Sequence, residues 1–84
     1  MPMLADQTGT LELIRKQREN LEWISKSLAS LRQEHGGRYI AVKDGQVVDF
    51  DKDFEGLLGR VRKLPDSEAV TIEFITELEY LWLL

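Results

Sequence analysis

Three aspartates at alternate positions, Asp49, Asp51 and Asp53, form the one stretch of this sequence that opens like an ion-binding loop. In a calcium loop, alternating carboxylates converge on a hard cation, a glycine makes the sharp turn at the sixth position, and a bidentate glutamate closes the twelfth. Here those two positions hold Phe54 and Arg60. The carboxylates suit a helix start instead, with Asp51 as N-cap and Asp53 and Glu55 facing the positive end of the helix dipole. No metal and no other cofactor is expected.

The other reactive residue types lack partners at useful spacing. His35 is the single histidine, so a two-imidazole metal site is excluded. At a helix C-terminus its protonated form would stabilise the negative end of the dipole. Asp6-Gln7-Thr8-Gly9 departs from the Asp-Thr-Gly of aspartic proteases by the inserted Gln7. Gly36-Gly37-Arg38 has no Gly-Lys-[Ser/Thr] and ends a helix rather than starting one, so it does not read as a phosphate loop. Ser25, Ser27, Ser30 and Ser67 have no nucleophile-elbow context, and there is no cysteine. A protein without catalytic activity is expected.

Eighty-four residues make one domain near the lower size limit for a single core. A hydrophobic fraction of 43% and a charged fraction of 31% are those of a globular chain, not of a disordered one. The absence of cysteine fits a reducing, cytoplasmic setting. Residues 1–10 have neither the basic start nor the apolar stretch of a signal peptide. The longest apolar cluster, residues 78–84, is far short of the ~20 residues that span a membrane. The net charge of −4 argues against a dedicated nucleic-acid binder, and the basic run Arg15, Lys16 and Arg18 reads as a solvated helix face.

These residues need elements to position them. Residues 1–9 read as a flexible leader, and Thr10 as the N-cap of one long helix that ends at His35-Gly36-Gly37. Ile14, Leu21 and Leu28 repeat every seven residues, as do Ile24 and Leu31. Together they predict an apolar seam with Gln17 as its one polar intruder, widened by Leu11, Leu13 and Trp23. Arg38–Lys43 and residues 46–50 form a hairpin around Asp44-Gly45, the favoured pair for a type I′ turn. Phe54, Leu57, Leu58 and Val61 follow the spacing of a second helix, ended by Leu64-Pro65-Asp66. Gly56 and Gly59 in it would admit another backbone closely. Residues 69–75 alternate as a third strand. The sequence thus predicts an α+β fold of order α-β-β-α-β. Its three-stranded sheet would have strand order 2-1-3, with the helices packed on one face.

The run Leu21-Glu-Trp-Ile-x-x-x-Leu-x-x-Leu31, then Gly36-Gly-Arg-Tyr-Ile-Ala-Val-x-Asp-Gly-x-Val-Val48, then Asp53, Leu57 and Ile72-Glu-Phe-Ile75, resembles a family of short prokaryotic domains of unknown function. The resemblance spans about residues 20–76. It implies a bacterial or archaeal source and no activity.

Two features exceed what a minimal domain needs. A helix of residues 11–34 spans ~36 Å at 1.5 Å per residue, so its first turns should overhang a sheet of ~20 Å strands. The apolar tail of residues 77–84 should be partly exposed on a small monomer. Leu11 and Ile14 on the overhang, with Leu78, Tyr80, Leu81, Trp82 and Leu84 in the tail, are the candidate interface. The expected function is a self-associating interaction module, a homo-oligomer. The alternative is a regulatory nucleic-acid binder, such as the antitoxin-like member of a two-gene pair.

Overall fold

The computed structural model describes residues 2–77. A long helix α1 (Pro2–Lys26) is followed by a short helix α2 (Leu28–His35) and the strands β1 (Arg38–Lys43) and β2 (Gln46–Asp51). Helix α3 (Phe54–Val61), a 3-10 turn (Ser67–Ala69) and strand β3 (Thr71–Ile75) complete the order. The sheet has strand order β2-β1-β3, with β1 antiparallel to both neighbours. The α+β class and the strand order are those predicted.

The hairpin forms as its turn pair dictates. Asp44 and Gly45 take positive φ of 52° and 73°, the mirror-image turn that matches strand twist, and Lys43 pairs with Gln46 across it. Farther along, Ala41 faces Asp49 while Val42 faces Val47, so Val48 is an extra residue, a β-bulge in the edge strand.

The helices take both faces of the sheet rather than one. Ile40, Val42 and Ile75 pack with Ile24 and Leu31 of α1 and α2, while Ala41 packs with Leu57 and Val61 of α3 and with Val70. Successive residues of β1 point to opposite faces, and Ile40, Ala41 and Val42 are all fully buried. A strand can bury consecutive residues only if both faces are covered.

Several predicted boundaries move, among them the start of the third strand, which is Thr71 because residues 67–69 form the 3-10 turn. The helix begins at Pro2 and runs through the residues read as a leader, so Thr10 is interior and caps nothing. Proline is tolerated in a first turn, where its missing N–H costs no hydrogen bond. The long helix is two, broken at Ser27 (φ −103°, ψ 10°), whose N–H is shared between the carbonyls of Trp23 and Ile24 at 3.0 and 3.2 Å. Helix α3 is capped by Asp53, not Asp51: the Asp53 carboxylate accepts from the Gly56 N–H at 3.0 Å. Strand β2 runs one residue longer than predicted and takes in Asp51.

Among the described residues, no helix is long and apolar enough to cross a membrane.

Candidate interaction surface

The face that α1 turns to the sheet is one row of the predicted seam, Gln17 and Ile24, with Asn20 beside it; the other row, Ile14 and Leu21, is turned away. Asn20, only 3% exposed, donates from Nδ2 to the Ala69 carbonyl and to Thr71 Oγ1, both at 3.0 Å. Gln17 donates to the carbonyls of Glu68 (2.7 Å) and Val70 (3.2 Å), and its Oε1 accepts from the Thr71 hydroxyl. These two amides satisfy the carbonyls of the 3-10 turn that leads into β3. The apolar contribution of α1 to the core comes one turn later, from Ile24 with Trp23.

The apolar residues of the heptad are turned outward. Leu11 is 66% exposed, and Ile14 and Leu21 are each 47% exposed. At about 100° per residue, Ile14 and Leu21 sit roughly a quarter-turn round the helix from the Gln17–Asn20–Ile24 row. Leu28 alone of that repeat packs on the core. Residues 9–12 are exposed in succession, which sweeps about 300° of helix surface, so no side of this stretch is buried against the described chain. The predicted overhang is present.

Of the candidate interface, then, Leu11 and Ile14 are solvent-facing on one arm, and Leu21 joins them. Leu78, Tyr80, Leu81, Trp82 and Leu84 lie outside the described residues. Asn20 was missed in the sequence; its position three residues after Gln17 was the available signal for a polar inward face.

The basic run forms no single patch. Arg15 pairs with Glu12 one turn back, and its guanidinium is held charged above its ordinary range, first by that hydrogen bond. Arg15, Lys16 and Arg18 are interleaved with Glu12, Glu19 and Glu22 around the exposed helix.

The aspartate triplet is resolved by the residue at the twelfth position. Arg60 Nε and Nη2 donate to the two Asp49 oxygens at 2.8 and 3.1 Å, and Nη1 donates to Asp51 Oδ2 at 3.0 Å. Nη2 also reaches the Phe50 carbonyl at 3.2 Å. A guanidinium thus stands where a cation would, tying α3 to β2. It draws the Asp49 carboxyl below the ordinary carboxylate range; Asp51 is lowered first by the Asp53 N–H and then by Arg60. Arg60 is raised in turn, first by Asp49.

His35 ends α2 as expected and lies against the Phe50 ring (centroids 4.8 Å apart), which Arg38 also overlies. Gly37 supplies the left-handed residue after that helix, with φ 82°. A β-carbon at Gly36 would stand 2.7 Å from the Arg32 carbonyl oxygen. The glycines of α3 admit no other backbone: Gly56 has the carboxylates of Asp53 and Asp51 beside it, and Gly59 has nothing described within 4 Å. An open groove of about 420 Å³ lies where the α1–α2 break meets the hairpin turn, lined by Trp23, Ser30, Glu34, His35 and Gln46 among others.

A family model matches residues 30–77, from within α2 to the turn after β3. The chain belongs to DUF5678, a family of unknown function. The part of the chain that DUF5678 describes holds the whole sheet, α3 and the Arg60 clamp. Helix α1, with its outward apolar row, and the tail of residues 78–84 lie outside the matched segment. Searches of curated proteins and of solved structures returned no match.

Proposed function

We propose that this chain is a non-enzymatic interaction module that self-associates through α1, with the C-terminal tail as a second contact element. The observation that carries it is the inverted use of α1. Its polar residues Gln17 and Asn20 face the body, and Leu11, Ile14 and Leu21 face solvent. An apolar row left outside on a helix that already has its body contact is stabilised when a partner covers it. A two-fold homodimer is the simplest cover, because one self-complementary surface suffices.

Sedimentation velocity of the full chain at tens of micromolar tests the reading: a dimer is expected, and a monomer overturns it. Ile14→Glu should give a folded monomer with an unchanged circular-dichroism spectrum. Truncation after Thr76 should leave a folded chain of lower order; failure to fold would place the tail in the core instead. Among the described residues, the basic side chains of α1 are interleaved with Glu12, Glu19 and Glu22, which does not favour the nucleic-acid alternative. Raising salt separates the two, since a nucleic-acid complex weakens steeply while an apolar contact holds or tightens.

A further inference from the structure

We infer that the partner of α1 is the α1 of a second copy, packed antiparallel, with Arg15 of each copy opposite Glu22 of the other. The inference rests on the self-association proposed above and adds the orientation and the residues that fix it.

The outward row has coiled-coil spacing. Leu11, Ile14, Arg18, Leu21 and Ser25 are separated by alternating steps of three and four, so they fall on the two core positions of a heptad. Two flanks border this row. One carries Gln17 and Ile24, which are already engaged with the 3-10 turn, β3 and the core. The other carries Arg15 and Glu22, both exposed.

Orientation follows from the inequality of the flanks. In a parallel pair each flank meets the opposite flank of its partner. Arg15 and Glu22 would then press against the side on which the partner's own sheet is packed. In an antiparallel pair like flanks meet, so the two free flanks come together and both sheets stay on the far side. With the two-fold axis beside Arg18 and Glu19, Arg15 falls opposite Glu22 of the second copy, and the symmetry makes this contact twice; the two Arg18 side chains flank the axis and, being long, swing out of the seam toward the same Glu22 carboxylates instead of meeting each other. Ile14 of each copy then falls between Leu21 and Ser25 of the other. The present partner of Arg15 is Glu12, an exposed pair three residues away that costs little to exchange.

Charge reversal tests the arrangement. Arg15→Glu and Glu22→Arg should each weaken the dimer on the order of tenfold, because two attractive contacts become repulsive. The double variant Arg15→Glu/Glu22→Arg should return to the wild-type dissociation constant. The chain has no cysteine, so oxidative cross-linking gives a second readout. Ile14→Cys mixed with Ser25→Cys should form a mixed disulfide. Ile14→Cys alone should not, because its two copies would lie ~13 Å apart along the helices, beyond the reach of an S–S bond. A wild-type dimer that Ile14→Glu dissociates, but whose double charge variant is no tighter than the singles, overturns the antiparallel pairing and leaves self-association standing. A monomeric wild type overturns both.

Discussion

Helices α1 and α3 cover opposite faces of one small sheet, and they do so by opposite means. Helix α3 buries Leu57 and Val61 against Ala41 and Val70 and keeps its charges on the outside, where Arg60 reaches back to Asp49 and Asp51. Helix α1 sets two amides against backbone carbonyls and carries three apolar side chains outside. The first is the usual economy of an amphipathic helix, in which area removed from water drives docking. The second docks partly through hydrogen bonds that contribute about 0.5–1.5 kcal/mol each and partly through Ile24, and leaves Leu11, Ile14 and Leu21 uncovered. Amphipathicity identifies which residues of a helix are apolar; it does not say which side the rest of the chain has taken.

The contrast is sharpest in a pair of truncations. Leu57→Ala removes a fully buried side chain and should cost about 2–5 kcal/mol, read from urea denaturation. Leu21→Ala, by the same measurement on monomeric protein, should cost within about 0.5 kcal/mol, as exposed substitutions do. Comparable losses at the two positions would mean that α1 buries its heptad after all.

Asn20→Ala is the next largest. It strips the Ala69 carbonyl and the Thr71 hydroxyl of a buried donor and should cost about 1–3 kcal/mol. A neutral result would show that the polar latch does not hold α1.

How much of this was readable beforehand divides along the same line. The hairpin was legible because its determinants are local: Asp44-Gly45 demands its turn, and alternation on either side supplies the strands. The direction of the third strand was legible from the crossover, and the order 2-1-3 was the preferred one of the two placements that this direction left open. Coverage of both sheet faces was also signalled, since Tyr39-Ile-Ala-Val42 is a continuous apolar run and not an alternating one. The facing of α1 was legible only in part: the Ile24–Leu31 row packs inward as the heptads suggest, while the outward turn of Ile14 and Leu21 was not foreseen. It depends on Asn20 and Gln17 meeting carbonyls about fifty positions away, and no local periodicity encodes that match. The cap moved from Asp51 to Asp53 for a similar reason. Asp51 pairs with Tyr39 in the ladder, so β2 runs one residue further, and Arg60 from the far end of α3 engages its carboxylate.

The smallest expected effect lies in the clamp of α3. Asp49 and Asp51 have folded pKa values below their unfolded ones, so the unfolded chain binds more protons at acid pH and stability rises with pH there. Their contribution is complete above the ordinary carboxylate range, about pH 4, and is lost as pH falls through the lowered folded values. Arg60→Gln should flatten the slope of stability against pH between about pH 2 and pH 4 and leave it unchanged near neutrality. An unaltered acid slope in that variant would mean that the guanidinium does not hold these carboxylates in solution.

The bulge at Val48 bears on aggregation. A straight edge strand offers an unpaired ladder to any other extended chain, and small sheet proteins polymerise by that route. Strand β2 has an extra residue in mid-ladder that increases its local twist, and two carboxylates beyond it clamped by one bulky guanidinium. A second sheet cannot stay in register along it for more than two or three residues on either side of the bulge. The bulge and the clamp therefore work against sheet extension through β2 in the folded state.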